Sequence, residues 1–166
     1  MKIIIKKLQV EDFDNLFEFE YKNRDYFEEM VPSRGDDYYN FEVFKQKNKA
    51  LLDEQAQGLS YFYLIKNKEG IIGRINLVDI EKPRGVCQIG YRIGEAYIGR
   101  GVASRALKLL LEKTTKLGIR QISAKTTTNN IASQKVLEKN GFKYSETADE
   151  VLNGNNLSFV YYIWEK

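Results

Sequence analysis

A chain of 166 residues, 43% hydrophobic and 30% charged, has the size of one globular domain able to bury most of its apolar surface. Its 26 basic and 23 acidic residues leave a net charge of +3, too balanced to point to nucleic acid, and no apolar run approaches the ~20 residues of a membrane helix. With no histidine and the single cysteine Cys87, a zinc site, a Cys/His nucleophilic pair and an internal disulfide are excluded, which leaves carboxylates, hydroxyls, lysines and backbone N–H groups for catalysis. The opening Met-Lys-Ile-Ile-Ile-Lys-Lys alternates apolar and basic residues unlike a signal peptide. One domain over residues 1–166 in a reducing, cytoplasmic setting is therefore expected, without metal, membrane or direct nucleic-acid partner.

In chain order, residues 2–8 read as a strand, and Val10, Phe13, Leu16, Phe17 and Tyr21 recur at helical spacing. Residues 23–39 mix aromatic and charged side chains around Pro32 and Gly35 and read as a loop that either walls a cleft or fastens itself to the core. Phe41, Phe44, Leu51, Leu52 and Ala56 mark a second helix ended by Gly58. Residues 60–66 and 71–80 form a hairpin across a polar turn, and residues 86–93 continue the meander. A wide apolar stripe, Ala103, Ala106, Leu107, Leu110, Leu111 and Leu117, then stops at Gly118. The next strand, residues 120–126, follows a crossover helix and is expected to run parallel to the strand before Gly99. Asn129 or Asn130 caps a helix reaching Asn140, and residues 142–147 and 157–164 close the chain as strands across an Asn153-Gly154-Asn155-Asn156 turn. The order β-α-α-β-β-β-α-β-α-β-β predicts an α/β or α+β fold.

The chain is organised around the turn Gly99-Arg100-Gly101 at the start of the stripe-bearing helix. Glycine permits a sharp turn and a close ligand approach, and the helix start offers unpaired N–H groups at its positive end, so an anion site is expected. Register tests two nucleotide motifs. A Walker A loop fails because Arg100 replaces the lysine and Gly101 the magnesium-binding hydroxyl. A dinucleotide fingerprint is unsupported, since Ser104 holds the third small position and Arg120 or Gln121 stands about twenty residues on, where an acid is needed.

The same residues, Gly99-Arg100-Gly101-Val102-Ala103, resemble the Arg/Gln-x-x-Gly-x-Gly/Ala pyrophosphate signature of the GNAT superfamily of acyl-CoA-dependent N-acetyltransferases, shifted by one position, with Ile98 where Arg or Gln is usual. The downstream run Asn130-Ile-Ala-Ser133-Gln-Lys-Val-Leu137-Glu-Lys-Asn-Gly141-Phe142 is similar to the branch that acetylates ribosomal-protein N-termini (alanine or serine). The two signatures cover roughly residues 88–144. The resemblance implies a mixed, mostly antiparallel sheet of about seven strands flanked by about four helices.

It also implies roles for named positions. Coenzyme A's pyrophosphate is to be cradled by the N–H groups of residues 99–104 (Gly99, Arg100, Gly101, Val102, Ala103 and Ser104) with charge from Arg100 and Arg105, beside Ile98. The pantetheine arm is to pair with the backbone of Tyr91, Arg92 and Ile93 where the sheet splays, and one N–H there to stabilise the oxyanion, an effect of ~3–4 kcal/mol. Asn130, Ser133 and Leu137, spaced i, i+3 and i+7, share one helix face. Much of the superfamily has a proton-donating tyrosine at the position of Leu137; here leucine leaves Ser133 as the acid and Asn130 as a cofactor-amide ligand, against the plainer reading of a helix cap and a small packing residue. The base is unassigned among Glu95, Glu146 and Tyr91, and a strong one is optional for an α-amine of pKa ~8 against ~10.4 for lysine. Family analogy puts Arg24, Tyr26, Tyr38 and Tyr39 at the acceptor pocket.

The expected activity is direct acetyl transfer from acetyl-CoA to a primary amine, a protein N-terminus first, in a ternary complex of a monomer or homodimer. A small-molecule amine (polyamine or antibiotic) acetyltransferase is the nearest alternative. A non-catalytic acyl-CoA-binding regulatory module is the alternative of another class, which Leu137 keeps open.

Overall fold

The computed structural model describes residues 1–30, 34–152 and 154–166. The elements are β1 (Ile4–Lys7), α1 (Phe13–Lys22), α2 (Arg24–Met30), α3 (Phe41–Ala56), β2 (Tyr61–Asn67), β3 (Gly70–Glu81), β4 (Val86–Ile93), α4 (Val102–Leu117), β5 (Gln121–Thr127), α5 (Ile131–Lys139), β6 (Lys143–Leu152) and β7 (Asn155–Glu165), with short 3-10 turns at Val10–Asp12, Asp36–Tyr39 and Glu95–Tyr97. Seven strands make one sheet in the order β1-β2-β3-β4-β5-β7-β6. Every neighbouring pair is antiparallel except β4 and β5, which α4 joins as a parallel crossover, as its sequence position requires.

Period-two alternation divides the core between the two faces of the sheet. In β2, Tyr63 and Ile65 point to the face covered by α4 and α5, where Ala106, Leu107, Leu110 and Leu137 meet them. Phe62 and Leu64 point to the other face, against Phe13, Leu16, Phe19, Phe27 and Phe44. With both faces covered, β2 loses the apolar/polar alternation of a half-exposed strand.

Three sequence expectations change. The segment 23–39 is not loop throughout: Arg24–Met30 is helical, the fifth α-helix among the described residues counting α1 and α3–α5, and Phe27 buries its ring against Phe19 at 5.8 Å between centroids. Pro32 and Asn153, read from the sequence as loop and turn residues, lie outside the described residues. The α1 stripe is displaced, because Val10 and Tyr21 are exposed while Glu20 is buried. At the end of the chain, β6 and β7 pair as far as Leu152 and Asn155, into residues read as turn.

One feature of the sheet creates a site. β4 and β5 pair only through Val86–Gln121, Cys87–Ile122 and Gln88–Ser123. Beyond these, β4 stays on β3 as far as Ile93 and β5 stays on β7 as far as Thr127, so the sheet parts between them.

Candidate active site

The parting opens a cleft of about 390 Å³ that passes from one face of the sheet to the other. Residues 89–93 of β4 and 124–126 of β5 form its sides. One mouth is built from residues 97–99, 101–104 and the face of α5 carrying Asn130, Ser133 and Leu137; the other from Tyr26, Phe27 and Met30 of α2. Backbone groups of β4 that face away from β3 here have no strand partner, and buried peptide groups require one, so an amide-bearing ligand complements them.

At the first mouth, Gly99 and Gly101 adopt left-handed φ of 76° and 75°. No atom lies within 4 Å of where a Cβ would sit, so backbone conformation rather than crowding is what requires glycine. Gly101 caps α4 without a side-chain acceptor, leaving the first-turn N–H groups of Val102, Ala103 and Ser104 directed at the opening. The Arg105 guanidinium donates to the carbonyls of Arg100 (3.2 Å) and Gly101 (3.4 Å), and to that of Met1, which fixes the turn from behind. Arg100 is exposed over the Tyr97 ring at 5.4 Å and is not a wall of the cleft.

On the α5 wall, Tyr91 Oη lies 2.8 Å from Ser133 Oγ. Asn130 is the N-cap of α5, and its Oδ1 accepts the Ser133 N–H at 3.1 Å, which leaves Nδ2 available. Burial raises the Tyr91 phenol above its ordinary pKa while the Ser133 hydroxyl pulls it down, so the pair stays protonated at neutral pH. Leu137, one turn on, is 1% exposed in the core.

Other expected residues lie elsewhere. Arg24 pairs with Glu28 at 3.1 Å and with Asp36, and stacks on Tyr39 at 4.2 Å, away from the cleft that Tyr26 lines. Glu95 and Glu146 are exposed and line no part of it.

Sequence reasoning missed the charge cluster beneath the second mouth. Glu20, with no exposed side-chain surface, accepts from Arg74 Nη1 at 2.8 Å and Arg92 Nη1 at 3.0 Å, with Arg34 Nη1 3.6 Å away. Arg74 and Arg92 stand directly opposite on β3 and β4, a like-charge pairing that the α1 carboxylate relieves. Burial pushes the Glu20 carboxyl upward, but the guanidiniums of Arg74, Arg34 and Arg92 outweigh it and hold it below the ordinary value. The available signal was Arg74 itself, a cation inside the apolar run Ile71-Ile-Gly-Arg-Ile.

Comparison with known proteins agrees with this architecture. The acetyltransferase (GNAT) domain family matches residues 2–143. The probable N-acetyltransferase YjcK of Bacillus subtilis (strain 168) is 30% identical over 146 residues, 84% of this chain and 80% of that protein. Among solved structures, the ribosomal-protein-S5-alanine acetyltransferase of Vibrio fischeri superposes with a TM-score of 0.92 at 21% identity, covering 99% of this chain and 93% of that one. RimL, the ribosomal L7/L12 alpha-N-protein acetyltransferase in complex with coenzyme A, gives 0.90 at 21% identity, covering 99% and 94%. This chain therefore belongs to the GNAT acetyltransferase family and is an N-acetyltransferase.

Proposed function

We propose that this enzyme transfers acetyl from acetyl-CoA to the α-amine of a protein or peptide N-terminus, by direct attack with both substrates bound. The observation that carries the reading is the Tyr91–Ser133 hydroxyl pair, 2.8 Å apart at the parting of β4 and β5. The fit of the cofactor rests on three features of the cleft: uncapped N–H groups at residues 102–104 for a pyrophosphate, unpaired β4 backbone at Tyr91, Arg92 and Ile93 for an amide-rich arm, and the apolar Ile98 side chain in its lining. The Asn130 Nδ2 adds one donor. Bound acetyl-CoA supplies an activated acyl carbon and a thiolate leaving group.

The chain's own residues then divide the work. Ser133 gives its proton to the departing sulfur, and the hydrogen-bonded Tyr91 Oη replaces it and regains a proton from solvent, which takes up the one shed by the attacking amine. An unpaired N–H of β4 points at the developing oxyanion. The acceptor enters past Tyr26, Phe27 and Met30, opposite the glycine turn. An α-amine, with a pKa near ~8, needs only a water to lose its proton at the mouth. The names of the structural relatives make ribosomal-protein N-termini the first acceptors to try.

The test follows free-thiol release from acetyl-CoA with N-terminal peptides, polyamines and aminoglycosides. Release with peptides is expected, and Ser133→Ala is expected to lower kcat about 10²-fold with acetyl-CoA affinity unchanged. Release with polyamines or aminoglycosides alone moves the enzyme to the small-molecule class.

A further inference from the structure

We infer that the acceptor carries a carboxylate near its amine, and that Arg92 is the residue that selects it. This rests on the reading that the α2 mouth admits the acceptor.

Three guanidiniums surround the single carboxylate of Glu20, so the cluster is cationic in excess. Arg74 is 3% exposed and cannot reach a ligand, and Arg34 donates to Tyr38 Oη at 2.7 Å. Arg92 differs from both. Only its Nη1 is committed, to Glu20, and among the described residues its Nε and Nη2 have no hydrogen-bond partner. Its side chain is 17% exposed and lines the cleft, with the guanidinium lying 4.4 Å over the Phe27 ring. Anchored at one nitrogen and stacked on one face, it presents a pre-oriented donor pair to whatever enters. Burial, together with repulsion from Arg34 and Arg74 that Glu20 only partly offsets, lowers its pKa, as expected of a cation lacking a full complement of negative charge.

Arg92 follows Tyr91 on β4, and their side chains leave the sheet on opposite faces, Tyr91 to Ser133 and Arg92 to α1 and α2. An amine that reaches the Tyr91–Ser133 corner from α2 therefore trails its substituents across Arg92. Extended chain spans about 3.3–3.6 Å per residue. A carboxylate on one of roughly the first three residues, or the carboxylate of a free amino acid, thus falls within reach of the guanidinium. Burial and the nearby carboxylates of Glu95 and Glu29 raise the pKa of the Tyr26 phenol, so acidic groups also stand near this mouth.

The measurement uses peptide pairs differing only as Asp against Asn at positions 1 to 3, and a free amino acid, alanine, against its carboxamide, alaninamide. N-acetylated forms are titrated calorimetrically into the coenzyme A-saturated protein, and the free amines are assayed for thiol release. The acid member is expected to bind, and to react in kcat/KM, about tenfold or more better than the amide. In Arg92→Gln that preference is expected to vanish. A preference among peptides alone, or among free amino acids alone, supports the site and names the source of the carboxylate. Equal affinity of acid and amide for the wild-type protein overturns the inference whether or not Arg92→Gln folds, as does an unchanged preference in a folded Arg92→Gln. A binding preference without thiol release from any amine keeps the anion site and sinks the acetyl-transfer reading instead.

Discussion

Glu20 shows at the scale of one residue why function and stability are entangled in this molecule. It has no exposed side-chain surface and ties α1 to Arg74 of β3 and Arg92 of β4, so its removal leaves buried cations without a partner. Glu20→Gln is expected to destabilise the fold by about 3–5 kcal/mol, measured by denaturant unfolding. The pH dependence follows from the same contacts. The guanidiniums hold the folded-state pKa below 4.5, so the unfolded chain takes up the proton first as pH falls. The cluster's contribution is complete above that value and drains away as pH drops toward the folded pKa. Glu20→Gln should flatten that acid limb in unfolding experiments, and an acid limb identical to wild type would contradict the assignment.

Elements set the precision of the site. Asn130 lines the cleft and caps α5 through Oδ1, so cap and ligand roles separate in Asn130→Asp, which keeps the acceptor oxygen and loses the Nδ2 donor. The thermal midpoint should stay near wild type while KM for acetyl-CoA rises several-fold; an unchanged KM would reduce Asn130 to a cap. At the other jaw, Gly101→Ala places a Cβ at φ 75°, a conformation that costs an L residue about 1–2 kcal/mol, though nothing stands in its way. Weaker acetyl-CoA binding with little change in kcat is the expected result. Asn140 Nδ2 donates to Ser104 Oγ at 3.1 Å, linking the end of α5 to the start of α4, so loosening one jaw is felt by the other.

The same division explains what the sequence made legible. Gly99, Gly101, Asn130 and Ser133 act through local geometry, a positive φ or an i, i+3 spacing, and such rules can be read from a single chain. The order of the other elements, α2 apart, was readable for the same reason. Glu20 and Arg74 are 54 residues apart and meet only because α1 crosses β3, which no periodicity encodes. The helix Arg24–Met30 was hidden because its buried face is carried largely by Phe27 amid charged neighbours. Likewise family analogy put Arg24 at an acceptor pocket, yet its partners Glu28, Asp36 and Tyr39 hold it elsewhere.

Across the whole molecule, the decisive event is that β4 and β5 stop pairing after Gln88 and Ser123 while each keeps its other neighbour. That leaves a passage through the sheet with a glycine turn and two hydroxyls on one side and aromatic and cationic groups on the other. Two substrates can then approach one point from opposite faces, which is what direct transfer requires. No helix among the described residues is long and apolar enough to cross a membrane. The central claim is tested most directly by incubating the protein with acetyl-CoA and N-terminal peptides, and following free thiol alongside the mass and site of acetylation. The account predicts thiol release matched one for one by acetylation of the peptide α-amine, and slowed about 10²-fold in Ser133→Ala. Acetylation confined to lysine side chains, or the same rate without the Ser133 hydroxyl, would contradict it.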